Sequence, residues 1–248
     1  MGYVIIKDLG LIDYMECWQL QQKFFDGLIA AKTDATKGEQ SWMTENHVVR
    51  AAGQEHAGEA QQTLLLCEHP HVYTLGKSGN INNLLIDPAF MECIGAAYYK
   101  VDRGGDITYH GPGQLVGYPI LDLERLGMGL KDYIHGLEEV IINLLELFEI
   151  RAERSEGATG VWLAATGSRP LRKIAAIGVR SSHFVTMHGF SLNVNPKMEY
   201  FSYINPCGFT DRGVTSISRE LGEIPEMDNI KKTFAEEFGK VFGLTFQP

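Results

Sequence analysis

Cysteine is sparse in this sequence. Four residues, at positions 17, 67, 93 and 207, stand among 248, and none forms the CxxC pair of a zinc ribbon or a thioredoxin-like motif. Free thiols in a reducing compartment are expected. No run of about 18 apolar residues occurs, so no membrane span is predicted. The N-terminal Met1-Gly-Tyr-Val-Ile-Ile-Lys7 lacks a basic segment leading into a long apolar core, and a cytoplasmic location is expected. The chain has neither a GxSxG nucleophile elbow nor an HExxH pair, which removes two common hydrolase signals. Gly76-Lys-Ser78 has the end of a phosphate-binding loop, but His71 stands where that loop needs its first glycine. A net charge of −9 argues against a nucleic-acid partner, which would require a basic surface.

What the chain does have is ample apolar material, 44% of its residues, enough for one soluble domain over 1–248 with a large core. A short strand is predicted at Tyr3 to Ile6. Asp13 then caps a helix whose apolar positions are Leu11, Met15, Trp18, Phe25 and Ile29. Residues 32 to about 60 turn polar and read as a long surface excursion. Strands are predicted at 63–67, 72–75, 97–101, 107–110, 115–120, 160–163, 173–179 and 184–193. Ile134, Leu137, Ile141, Leu144 and Phe148 step by three and four along a second helix, and a last helix spans about 229–242. Long helices among many strands indicate an α/β (α+β) fold, a mixed sheet flanked by helices.

Three segments carry polar chemistry. Arg103-Gly-Gly-Asp-Ile-Thr-Tyr-His-Gly-Pro-Gly-Gln114 crowds four glycines around a few hydrogen-bonding side chains, which suits a ligand cradle and equally a hairpin between two strands. Asn205-Pro-Cys-Gly208 places Cys207 in a Pro- and Gly-bounded turn that can expose a thiol, whereas Cys17, Cys67 and Cys93 read as small core residues. Cys67-Glu-His69-Pro-His71 has metal-ligand residue types, but its side chains alternate along a strand end and no second cluster completes a tetrahedral set. Between 151 and 180 the local charge turns basic, through Arg151, Arg154, Arg169, Arg172, Lys173 and Arg180. That strip is an expected docking face for an acidic protein.

The 103–114 segment, Lys173-Ile-Ala-Ala-Ile-Gly178 and Asn205-Pro-Cys-Gly208 closely resemble three signature motifs of the lipoyl(octanoyl) transferase family. Glu68-His-Pro-His-Val-Tyr-Thr-Leu-Gly76, His188-Gly-Phe-Ser-Leu-Asn193 and Val214-Thr-Ser216 are similar as well and fall in the family's order, so the resemblance covers most of the chain from Thr63 onward. The polar excursion is longer than expected for the family, and His71 replaces a frequent proline.

The resemblance implies the fold of biotin and lipoate protein ligases. It implies transfer of an octanoyl group from octanoyl-acyl carrier protein to a lysine on lipoyl domains of 2-oxoacid dehydrogenases or on glycine cleavage H protein. Cys207 would form the acyl thioester and Lys173 would lower its pKa. Arg103, Gly104, Gly105, Asp106, Ile107, Thr108, Tyr109, His110, Ala176, Ile177, Gly178, Gly189, Phe190 and Ser191 would line the acyl substrate. Glycines 104, 105, 178 and 189 would admit the alkyl chain or aim N–H groups at an oxyanion. A thioester is already activated, so ATP is not expected, nor is a metal. Once Cys207 is acylated, Lys173 could deprotonate the acceptor amine, with His110 and His188 as weaker candidates.

Overall fold

Along Thr63–Cys67 successive side chains enter two different cores: Leu64 and Leu66 pack on one face of the sheet, Leu65 and Cys67 on the other. A strand buried on both faces reads as a continuous apolar run, and this one is sandwiched between helical layers. The computed structural model describes residues 2–42, 61–205 and 212–247.

In chain order these form β1 (Gly2–Leu11), α1 (Tyr14–Trp42), β2 (Thr63–Glu68), β3 (Val72–Leu75), α2 (Pro88–Cys93), β4 (Ala97–Lys100), β5 (Ile107–His110) and β6 (Gln114–Ile120). They continue with α3 (Leu130–Leu147), β7 (Glu153–Ser155), β8 (Ala158–Leu163), β9 (Arg172–Ser182), β10 (Val185–Asn193), β11 (Gly213–Val214), α4 (Ile217–Leu221), α5 (Met227–Phe242) and β12 (Leu244–Gln247). The main sheet runs β12-β1-β2-β6-β10-β9-β8-β7, with β11 on β9, and a smaller sheet runs β4-β3-β5. Both sheets mix parallel and antiparallel pairs, as expected.

Helices α3 and α5 cover one face of the main sheet, where Phe234 stacks on Phe190 with ring centres 4.4 Å apart. Helix α1 covers the other through Cys17, Phe24, Phe25 and Leu28. Asp13 caps α1 by accepting from the N–H of Met15 at 2.8 Å and of Glu16 at 3.2 Å. In the smaller sheet Tyr109 stacks on Tyr200 and Tyr73 donates to the Tyr200 carbonyl.

Three expectations are corrected. Leu11 is the exposed last residue of β1, not a helical position, because the Asp13 cap starts the helix after it. The polar stretch from 32 opens as helix and stays so through Trp42, because its first turns need no apolar face once Lys32 is anchored. Lys32 Nζ reaches Asp122 at 2.7 Å and Glu124 at 2.8 Å; residues 43–60 lie outside the described residues. Cys93, expected in the core, is exposed at the end of the six-residue α2, which turns Met91 inward instead.

Candidate active site

A cavity of about 540 Å³ opens where residues 103–108 and β5 meet β9 and β10. Lys173 stands at one end. On β9 it is paired in register with Trp162 of β8 and Val214 of β11, its Nζ lies 4.5 Å from the centre of the Trp162 ring, and it donates to the Thr159 carbonyl at 3.1 Å. Cys207 lies outside the described residues. The chain on both sides is tied down: Asn205 N–H donates to the Asn83 carbonyl at 2.8 Å, and Thr215 N–H donates to the Lys173 carbonyl at 2.9 Å.

Residues 103–108 form the roof, built by side chains that hold the loop rather than reach across it. Arg103 donates through Nη2 to the Thr74 carbonyl at 2.8 Å and the Thr74 hydroxyl at 3.0 Å. Asp106 accepts from the N–H groups of Asn80 and Ile107 and from the Asn83 amide, closing the turn. Arg103, Gly104, Gly105, Asp106, Ile107, Thr108 and His110 line the cavity; Tyr109 does not. Strand alternation turns its fully buried ring into the smaller sheet's core, where its hydroxyl meets His71 Nδ1 at 2.8 Å. His71, the departure from the frequent proline, stacks on Tyr200 at 4.1 Å and thus belongs to this core.

Ala176, Ile177, Gly178, Gly189, Phe190 and Ser191 form the floor. The glycines here serve backbone packing. A Cβ at 178 would stand 2.8 Å from the Gly104 carbonyl oxygen, and one at 189 would stand 2.2 Å from that of Gly117. Gly178 and Gly189 thus line the cavity with backbone alone, and the Cβ that each lacks leaves room for the neighbouring chain. Gly105 differs: its φ of +90° is a conformation open to glycine. Phe190 points its ring away, onto Phe234, so its backbone faces the cavity.

The two histidines at the cavity are neutral near pH 7, since burial pushes both below the ordinary imidazole range. Tyr14, Tyr118 and Thr159 also line it, and the sequence reading passed over them. Tyr14 and Tyr118 reach the cavity because α1 and β6 pack beside β5, where Tyr14 stacks on His110.

Helix α1 adds Cys17 to Cys67 and His69, with their ligand atoms within 4.8 Å of one another, a meeting that the sequence spacing concealed. His69 is already engaged at both ring nitrogens, Nδ1 with the Ile12 carbonyl and Nε2 with the Tyr118 hydroxyl, each at 2.8 Å. Burial lowers its pKa to about 4 and pushes the Cys67 thiol up, so Cys67 packs as a protonated thiol beside a neutral imidazole.

The basic strip is largely consumed within the chain. Arg172 forms a two-pronged pair with Glu220 at 2.8 Å on each prong, which Arg169 joins at 3.3 Å. Arg154 pairs with Glu138 and Glu139, and Arg180 with Asp102. Carboxylates distant in sequence pair with four of its arginines and offset the excess positive charge read from 151–180.

The family model for the lipoyl protein ligase A/B catalytic domain matches residues 38–239. An octanoyltransferase of Bacteroides fragilis is 51% identical over 234 residues, 94% of this chain and 95% of its own length. One of Parabacteroides distasonis is 46% identical over 235 residues, 95% of this chain and 96% of its own. Among solved structures, the bipartite lipoate protein ligase of Thermoplasma acidophilum superposes with a TM-score of 0.66 at 13% identity, covering 99% of this chain and 85% of that one. A lipoate-protein ligase A bound with ATP gives 0.63 at 12%, covering 99% and 87%; at these identities the likeness is one of fold. By sequence, therefore, the chain belongs to the lipoyl protein ligase A/B catalytic-domain family, among its octanoyltransferases.

Proposed function

We propose that this octanoyltransferase takes its acyl group from the thioester of octanoyl-acyl carrier protein and passes it, through a thioester on Cys207, to a lysine of a lipoyl domain or of glycine cleavage H protein. The observation that carries the reading is Lys173 in the lining of the cavity, with Val214, seven residues beyond Cys207 in the sequence, in register beside it.

In the first step the Cys207 thiolate attacks the donor carbonyl. A new C–S bond forms, and the carrier's thiolate leaves with a proton. The Lys173 ammonium stabilises the attacking sulfur and is a fitting source of that proton. In the second step the acceptor amine attacks the Cys207 thioester, the amide forms and the Cys207 thiolate leaves. The acceptor's ordinary pKa of about 10.4 keeps it charged near pH 7, and on becoming an amide it sheds two protons: Lys173, having given up its own, takes one and solvent takes the other. The bond being exchanged is already an activated thioester, so neither ATP nor a metal enters the cycle.

The test is intact-mass analysis after incubation with octanoyl-acyl carrier protein without ATP. One octanoyl mass should appear on Cys207, Cys207→Ala should lose both adduct and transfer, and a lipoyl domain should discharge the adduct. A Cys207→Ala protein that transfers at full rate refutes the reading.

A further inference from the structure

Away from Lys173 the cavity ends on side chains that this transfer chemistry does not use. Tyr14 from α1, His110 from β5, Tyr118 from β6 and His188 from β10 line it, all of them buried. Along the β9–β10 pair the floor is kept low by Ala176 opposite Ser191 and by Gly178 opposite Gly189; the next pair is Val179 and His188. Lys173 precedes Val179 by six residues on β9, about 20 Å at ~3.3 Å per residue. Lys173 and His188 therefore stand at opposite ends of the tunnel.

His188 is held from several sides. Its backbone lies in the left-handed region, with φ of 60°, an uncommon state for a residue with a side chain. Regular alternation would send the side chains of 188 and 189 to opposite faces, yet both residues line the same cavity. The His188 N–H donates to Oε1 of the fully buried Gln21 at 3.2 Å, and Nε2 donates to Asp102 Oδ1 at 2.7 Å. Asp102 is held in turn by Arg180, whose guanidinium lies over Phe25 at 4.9 Å. With the ring proton committed to Asp102, the lone pair sits on Nδ1, which is buried and has no hydrogen-bond partner among the described residues.

We propose that His188, fixed by Asp102, closes the far end of the acyl tunnel and sets the longest saturated chain that the enzyme accepts. The inference rests on the reading that Lys173 and Cys207 mark the reacting end. A methylene pressed beyond this point must push the ring against its tether to Asp102, on a backbone that Gln21 already holds, which is unfavourable. Medium-length acyl groups are accepted and long-chain acyl groups on the same carrier are rejected, a selection that apolar burial alone would reverse.

The test offers octanoyl-, decanoyl- and dodecanoyl-acyl carrier protein to the wild type, His188→Gly and His188→Asn, following adduct mass and transfer rate. Glycine and asparagine both tolerate the left-handed backbone, and the melting temperature checks the fold. The decanoyl-to-octanoyl ratio of kcat/KM should rise about tenfold or more in His188→Gly, within the range that a methylene-sized change in an apolar pocket commands, and less in His188→Asn. An unchanged ratio in either variant when folded overturns the inference and leaves the Cys207 reading intact. Absence of any octanoyl adduct on the wild type overturns that reading and, with it, this inference.

Discussion

The ammonium of Lys173 lies 4.5 Å from the centre of the Trp162 ring, so the residue paired with it on the neighbouring strand is also the surface on which its side chain rests. This contact and the bond to the Thr159 carbonyl hold the lysine at the cavity end.

Two substitutions separate the roles proposed for Lys173. Lys173→Met removes the cation that stabilises the Cys207 thiolate, so thioester formation should slow and its pH for half-maximal rate should rise. Lys173→Arg keeps the charge but not a releasable proton, so the adduct should still form, more slowly and with solvent protonating the carrier thiolate, while discharge to the acceptor amine falls by about a hundredfold or more. Rapid-quench intact mass across pH reads both steps; an unmoved pH profile in Lys173→Met removes the thiolate role.

Glycines of the tunnel should fall into two classes. Gly189→Ala places a Cβ 2.2 Å from the Gly117 carbonyl oxygen, at the end of the β6–β10 pairing, and should cost about 2 kcal/mol or more, a melting drop of at least ~4 °C. Gly104→Ala meets only the Val179 carbonyl at 3.4 Å and should melt near the wild type while lowering kcat/KM for octanoyl donor. Calorimetry and kinetics on the two proteins check the split.

Acid should destabilise the fold before its carboxylates titrate. His69, lowered by burial to about 4, and His110, also lowered by burial, stay neutral in the native state, whereas the unfolded chain takes up protons below the ordinary value of about 6.5. Stability is therefore full above about pH 6.5 and falls as pH drops toward 4, by up to about 1.4 kcal/mol per pH unit for each histidine. Urea unfolding at pH 7.5, 6 and 5 measures the slope, and a flat profile refutes it.

Arg172 and Arg169 share Glu220 but should not share a phenotype. Arg172 and Glu220 are 11% and 10% exposed and joined by two prongs, so Arg172→Ala, which leaves the carboxylate only Arg169 and the Thr215 hydroxyl, should cost about 2 kcal/mol. Arg169 is 60% exposed, and its loss should be nearly silent. The Arg172 hydrogen bond holds Glu220 below the usual carboxylate range, so the pair's contribution persists above about pH 4.5 and is lost as pH falls through the lowered value. Melting curves of both variants at pH 7 and pH 4 decide it.

Much of the fold was legible because periodicity reports burial directly. The run 63–67, the stripe Leu137, Ile141, Leu144 and the positions Ile230, Phe234, Phe238 each lie in the core that their spacing requires. Short elements were not legible: β7, β11, α2 and α4 are too brief to show a period, and caps at Asp87 and Ser216 fix the two helices instead. At the cavity, the segments 103–108, 176–178 and 189–191 were legible as motifs, but the direction of each side chain was not. Tyr109 and Phe190 turn away because a strand sends neighbours to opposite faces, and which face meets the cavity depends on the layer packed against it.

The sequence by itself determined the mixed α/β architecture and the set of polar segments that carry chemistry, because apolar period, turn residues and motif spacing are local along the chain. The tertiary structure decided which charges and rings meet. Arg172 finds Glu220 at a separation of 48 residues, His188 finds Asp102 at 86, and Cys17 joins Cys67 through a helix laid across the sheet. Such contacts arise from strand order and layer packing, so a strip that is basic in sequence becomes neutral in space, and Gly178 and Gly189 of the cavity floor become close contacts of backbone with backbone.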